Sequence, residues 1–285
     1  MKITVPRGFR HPGDLSARYT SDDPRLPTFT DTSLDIDLRK CEFVRPAAVL
    51  WCAIYPLLAL ARGSATRLLV PENKGVATYL KSVNLFGLLQ EAGIEVDDRG
   101  IRSRKDPQTV LPLTRFHTEE EVEDLANEAL GSMSDSGLAA ANLHPVVSEI
   151  FAELAMNAVQ HAESEVGACG LIQFYQFQQG RRFICAVADG GIGIRHALER
   201  NPALLDQVPY DWDAIELALQ ERVSGTGERT RGIGLYGIAE DMRKPGRQLI
   251  IHSGIGSVEI KEERESGGRR TTLFPGTLTF AAIPA

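Results

Sequence analysis

From Glu149 to His161 polar and apolar positions recur with the period of a helix. Glu149, Glu153, Asn157 and His161 fall every fourth residue, and Ile150, Phe151, Leu154, Ala155, Ala158 and Val159 lie between them. Residues i and i+4 stack on one helix face, so the spacing predicts a polar stripe beside an apolar one. Pro145 suits the first turn, where its missing N–H costs nothing. Upstream the pattern differs. Leu34–Leu38 alternates singly, as a half-buried strand does, and Lys2–Val5 offers an edge strand in an otherwise proline-rich, irregular arm over residues 1–30. Pro46–Arg62 reads as a buried helix ending at Gly63, and Thr66–Val70 as a strand stopped by Pro71. Gly75–Val83 and Leu85–Ala92 read as helices and Ile94–Val96 as a last strand. Strands alternating with helices over residues 31–98 predict a small α/β unit with a mixed or parallel sheet.

Residues 99–118 read as a linker, with Val110–Phe116 adding at most an edge strand because Pro112 excludes a central one. Thr118 caps a helix over Glu119–Leu130, and Glu121 completes a capping box. Gly131–Asn142 is a second connection. Gly170–Phe177 and Arg181–Val187 form a hairpin turning at Gln179-Gly180, followed by a polar segment, Arg195–Gly227, with a helix at Trp212–Arg222. A helix over Leu235–Arg243 and strands at Gln248–His252, Ser257–Lys261, Thr271–Phe274 and Thr277–Ile283 complete the chain.

Two glycine clusters sit among these elements. Asp189-Gly190-Gly191-Ile192-Gly193 follows a strand, and Gly232-Ile233-Gly234-Leu235-Tyr236-Gly237 opens a helix. Taken singly, each motif has a plain structural reading: a solvated helix face, a turn-initiating Asp, a glycine-rich turn. A bare GxGxxG also suits a dinucleotide fold, but there it follows a strand, and here a long polar segment precedes it.

In this order the motifs resemble those of the GHKL superfamily, named for gyrase, the heat-shock chaperones, histidine kinases and MutL. Glu153–Asn157–His161 looks like the family's N box, Asp189–Gly193 its first glycine box, Gly232–Gly237 its second, and Gly276-Thr277 its last short motif. The resemblance covers Glu119 to Ala285. It implies a Bergerat-type α/β sandwich, a mixed sheet with helices on one face, that binds ATP with Mg²⁺. Asn157 would offer its amide oxygen to the metal, one protein ligand being normal for that ion. The backbone from Gly232 through Ile233, Gly234, Leu235, Tyr236 and Gly237 would cradle phosphates at a helix N-terminus. Asp189 would accept from the adenine amino group, Gly191 and Gly193 would leave room for the ring, and Thr277 would support the same edge. Arg195–Gly227 would be the ATP lid. Arg229 and Arg231, at its end, suit either a phosphate contact or a solvated charge run.

Glu153 and His161 are the candidate catalytic residues. A carboxylate one turn before Asn157 would act as general base, worth about 10²–10⁴-fold, and His161 would orient it or meet phosphate. Sensor histidine kinases usually carry Asn at the first of these places, so Glu153 points to the anti-sigma serine-kinase branch. Neither His117 nor His144 has the combination of a directly following acidic residue and a nearby Pro that marks a phosphoaccepting histidine. Residues 31–98 are similar to a STAS domain, but the turn Glu42–Ala48 holds no hydroxyl, which favours a docking or dimerisation module over a phosphoacceptor. The expected function is an ATP·Mg²⁺-binding regulatory protein with slow hydrolysis or serine-kinase-like transfer to a protein partner. The alternative is an interaction module gated by lid closure.

Composition narrows little further. The 285 residues allow two modest domains, and a net charge of −7 argues against a generally basic nucleic-acid surface. Cys41, Cys52, Cys169 and Cys185 show no metal-ligand spacing and suit a reducing cytoplasm. The N-terminus lacks the apolar core of a secretory signal, and the run Ala47–Ala61 is too short to span a membrane. Related ATP-binding units often pair, which leaves a homodimer open.

Overall fold

The computed structural model describes residues 1–10, 12–15, 32–103, 108–177, 180–221, 223, 234–262 and 264–285. The N-terminal half contains β1 (Lys2–Thr4), β2 (Gly8–Phe9), β3 (Ser33–Asp37), β4 (Phe43–Val44), α1 (Pro46–Ala61), β5 (Ala65–Leu69), α2 (Lys74–Ser82), α3 (Leu85–Glu91) and β6 (Glu95–Val96). The C-terminal half contains β7 (Thr109–Phe116), α4 (Glu119–Ser136), α5 (His144–His161), β8 (Ala168–Phe177), β9 (Gly180–Asp189), α6 (Gly193–Glu199), α7 (Asp211–Ala218), α8 (Gly234–Met242), β10 (Gln248–Lys261) and β11 (Arg264–Pro284).

The chain is a mixed α/β protein with two main sheets. A four-stranded sheet, β1-β3-β5-β6, is parallel throughout. A five-stranded sheet runs β10-β11-β9-β8-β7, and each of its pairings is antiparallel. The mixed sheet expected for the C-terminal half is therefore replaced by an antiparallel one. Residues 2–9 are less irregular than an arm: β1 is an edge strand, and Ile3, Val5 and Phe9 are buried. Nor is 99–118 all linker, since β7 joins the second sheet beside β8 and tolerates Pro112 at a break in register between Leu111 and Thr114.

Helix α1 decides how the halves meet. It carries no charge, and every residue from Pro46 to Ala59 is buried. A helix apolar all round must be covered all round. It packs on β3 and β5 of the parallel sheet and on β8, β9 and β11 of the antiparallel one. Its side chains form one core with Cys169, Leu171, Ala186, Ala188 and Leu278. The second sheet is therefore covered on both faces, by helices of its own half on one and by a helix of the N-terminal half on the other. The front face carries α4, α5, α7 and α8, and α1 covers the back. Polar contacts stitch the same seam: Leu113 N–H donates to Val83 O at 2.9 Å, Asn84 Nδ2 to Leu113 O at 3.1 Å, and Tyr79 Oη to Gln173 Oε1 at 2.9 Å.

On the front face, Thr118 and Glu121 form the expected capping box of α4. The helix runs six residues past Leu130 because Gly131 only weakens a helix, by about 1 kcal/mol, while Met133 gives the next turn a buried anchor. It stops at Gly137, in the left-handed region at φ 60°. No helix among the described residues is long and apolar enough to cross a membrane.

Candidate functional site

Helix α5 buries Ile150, Phe151, Leu154, Ala155 and Ala158 against the sheet. That orientation leaves Glu149 and Glu153 exposed and Asn157 and His161 half-buried along its other edge. Beside that edge lies a cavity of about 210 Å³. Its floor is the front of the sheet (Val187, Ile251, Thr277 and Thr279), and its walls come from α5, α6 and α8.

Asp189 marks one end. It is the last residue of β9 and only 3 % exposed. Its Oδ1 accepts the N–H groups of Gly191 at 2.8 Å and Thr277 at 3.2 Å, which leaves Oδ2 to the cavity. Burial pushes its pKa up to about 7, against a smaller opposing effect of the two backbone donors. Gly276, at φ +90°, makes the approach feasible: a Cβ there would overlap the Asp189 oxygens and sit 2.7 Å from Gly191 N. Gly191 in turn lies against the end of α5. A Cβ on it would run into the Ala162 carbonyl, which accepts from Ile192 N–H at 2.8 Å. The buried Ser253 Oγ ties both segments together, donating to Gly276 O at 3.1 Å and accepting from Ile194 N–H at 2.9 Å.

The other end belongs to Asn157 and α8. Asn157 Nδ2 donates to Glu153 O at 2.8 Å, one turn back along the helix, so the amide oxygen is left for the cavity. Gly234, the first residue of α8, lies against Glu153, and a side chain there would overlap the Glu153 carboxylate.

Asn157, His161, Asp189, Gly193, Gly234, Leu235 and Thr277 thus line one cavity. Glu153 stands at its rim against Gly234, and Gly191 underlies its Asp189 end. Tyr236 and Gly237 do not line it. Gly237 is exposed and a Cβ on it would meet no atom of the chain, so packing within the described residues does not require a glycine there. Gly232 and Ile233 lie outside the described residues, as do Arg229, Arg231 and the expected lid residues Ser224–Gly227. The helix expected at Trp212–Arg222 is α7, shorter at its C-terminal end.

Sequence patterns missed Ser253 and Arg200. Ser253 is a buried hydroxyl inside a strand, and Arg200 caps the C-terminus of α6 and lines the cavity. Neither sits in a glycine cluster or on the α5 stripe. Among the described residues no group of three or more His, Cys, Asp or Glu gathers to hold a metal. A cation here would rest on Asn157 alone, with water and ligand oxygens completing its shell. No protein-family model matches the chain, and no curated protein matches it.

The buried Asp189 predicts a pH effect. Its folded pKa of about 7 lies above the ordinary 3.8, so between these values the folded chain holds a proton that the unfolded chain has released. Stability is greatest below pH 4 for this group and falls as pH rises to 7, by on the order of 4 kcal/mol. Urea midpoints at pH 5.5 and pH 8 should differ markedly for the wild type, and Asp189→Asn should remove most of that difference.

Proposed function

We propose that the chain is an ATP·Mg²⁺-binding regulatory protein of the GHKL type, with slow hydrolysis or serine-kinase-like transfer to a protein partner. One observation carries the reading. Three segments far apart in sequence, α5, Asp189–Gly193 and the start of α8, border a single cavity lined by both a buried carboxylate, Asp189, and a side-chain amide, Asn157. The fit is chemical as well as spatial. The apolar lining residues Val187, Ile194 and Leu198 suit a base, Asp189 Oδ2 suits its exocyclic amine, and the Asn157 oxygen suits a hard cation. ATP·Mg²⁺, when bound, supplies a transferable phosphoryl group and a cation that neutralises the phosphates. Asp189 then holds the base and Thr277 braces Asp189. Asn157 holds the metal, and Glu153 offers a proton acceptor at the same rim. His144 is buried, with its ring against Leu138 O, which suits a chain that does not phosphorylate itself there. The four-stranded unit is read as a STAS-like docking module.

The test is calorimetry with an ATP analogue and Mg²⁺, paired with turnover of labelled ATP. Asn157→Ala should abolish Mg²⁺-dependent binding. Glu153→Ala should keep binding and lose about 10²-fold or more of turnover. Unchanged turnover in Glu153→Ala removes Glu153 as the base, and no binding by the wild type removes the proposal.

A second reading, in which nucleotide gates a partner interaction and chemistry is incidental, is favoured by a specific contact. Gly190, next to Asp189, packs on Leu58 of α1, so near that a Cβ would lie 2.9 Å from that side chain. Occupancy of the cavity would reach the N-terminal half through this contact. On this reading Glu153→Ala held with ATP should bind a partner more tightly, and a pull-down without nucleotide dependence rejects it.

A further inference from the structure

The cavity is lined by one Arg and no Lys among the described residues, and that residue, Arg200, stands at the Asp189 end. Its place follows from the chain. Gly191 and Ile192, two and three residues past Asp189, press on Ala162, and the next residue is Glu163. Glu163 holds Arg200 in a two-pronged pair: Nη1 meets Oε1, and Nη2 donates to Oε2 at 2.6 Å. Gly234 lies against Glu153, about two helical turns before α5 ends at His161, whereas Arg200 is tied to Glu163, past that end.

Stability does not account for the pair. Both side chains are about half exposed, at 52 % and 54 %, and such pairs contribute about 0–1 kcal/mol. Glu163 also takes a left-handed backbone at φ 51°, which costs a non-glycine residue about 1–2 kcal/mol. Nor does the pair suit an anion. The Glu163 carboxylate already neutralises the guanidinium and takes one N–H of each terminal nitrogen, so little net charge is left to attract an anion. The guanidinium also keeps a flat face, on a residue that lines the cavity together with the apolar Ile194, Leu198 and Val187. A planar guanidinium held in one orientation stacks on an aromatic ring.

We propose that Arg200, clamped by Glu163, closes the nucleoside end of the cavity by stacking on the base, and so acts as a determinant of nucleotide affinity distinct from the phosphate contacts. This rests on the ATP reading above. Asp189 then reads an edge of the base from within, and Arg200 covers the base at the mouth.

The experiment is calorimetry of wild type, Arg200→Ala, Arg200→Lys and Glu163→Gln with adenosine, Mg²⁺·ATP and inorganic tripolyphosphate. Arg200→Ala should weaken adenosine and ATP by the same factor, about 10-fold, and leave tripolyphosphate unchanged. Arg200→Lys, which keeps the charge but loses the plane, should not rescue. Glu163→Gln should give part of the loss. Thermal melts should stay within a few degrees of wild type, because the pair is exposed. A loss for ATP with none for adenosine makes Arg200 a phosphate contact and overturns the proposal, as does wild-type affinity in Arg200→Ala or full rescue by Lys. A wild type that binds none of the three ligands overturns the ATP reading itself, and this inference falls with it.

Discussion

Gly191→Ala should lower the unfolding free energy by about 3 kcal/mol or more and, on the proposed ATP reading, abolish nucleotide binding. The added methyl has no room: it would overlap the Ala162 carbonyl oxygen and lie 2.5 Å from its carbon, both backbone atoms that cannot turn aside. Relief requires parting the end of α5 from the segment after β9. That breaks the Ile192-to-Ala162 hydrogen bond of 2.8 Å and moves the Gly191 N–H that holds Asp189 Oδ1. The buried carboxylate then loses one of its two donors. Gly237→Ala is the control. It lies in the exposed part of α8 with nothing around its Cβ position. There alanine should be neutral or stabilise by up to about 1 kcal/mol. Urea melts and calorimetry on both variants check this. A Gly191→Ala chain that melts within 1 kcal/mol of wild type and still binds ATP would show that α5 and the glycine segment are not coupled as described.

The contrast between these two glycines shows what the sequence could carry. Asp189-Gly190-Gly191-Ile192-Gly193 and Glu153–Asn157–His161 are local patterns, and local patterns specify local geometry: a strand end, a tight turn, a helix stripe. The convergence of Asn157, Asp189 and Gly234 on one cavity was expected only from the resemblance to the GHKL superfamily. Whether a given glycine meets a wall depends on what comes to it from elsewhere. Gly191 meets Ala162 and Gly237 meets nothing, yet their local sequences look equally glycine-rich. Ser253 and Arg200 were illegible for the same reason, since their partners lie 23 to 59 residues away. One global feature did leave a trace. Phe183-Ile184-Cys185-Ala186-Val187-Ala188 is continuously apolar, where a strand with one wet face would alternate. Phe183, Cys185 and Val187 pack toward α5 and Ala186 and Ala188 toward α1. The run marked a strand covered on both faces.

That second cover sets up the other large effect: removing residues 1–103 should leave a C-terminal half that does not remain a soluble monomer. The loss exposes the back of the antiparallel sheet, where Leu113, Leu171, Phe274 and Leu278 are at most 1 % exposed and Cys169, Ala186 and Ala188 lie between them. At about 1.5–3 kcal/mol for each large side chain, uncovering these positions offsets most of the 5–15 kcal/mol that typically holds a domain together. It also leaves a contiguous apolar patch of the kind that drives association. The Leu113 N–H and C=O would lose Val83 and Asn84. Size-exclusion chromatography of the truncated chain should show aggregates or no soluble protein. A milder version tests the same contact in the intact chain. Leu58→Ala should cost about 2–5 kcal/mol by cavity formation. Because Leu58 supports Gly190, on the proposed ATP reading it should also weaken ATP binding, although Leu58 does not line the cavity. A truncated chain that stays monomeric and binds ATP with unchanged affinity would mean that α1 covers the sheet without supporting the site. The N-terminal half would then have no route to the cavity through Gly190.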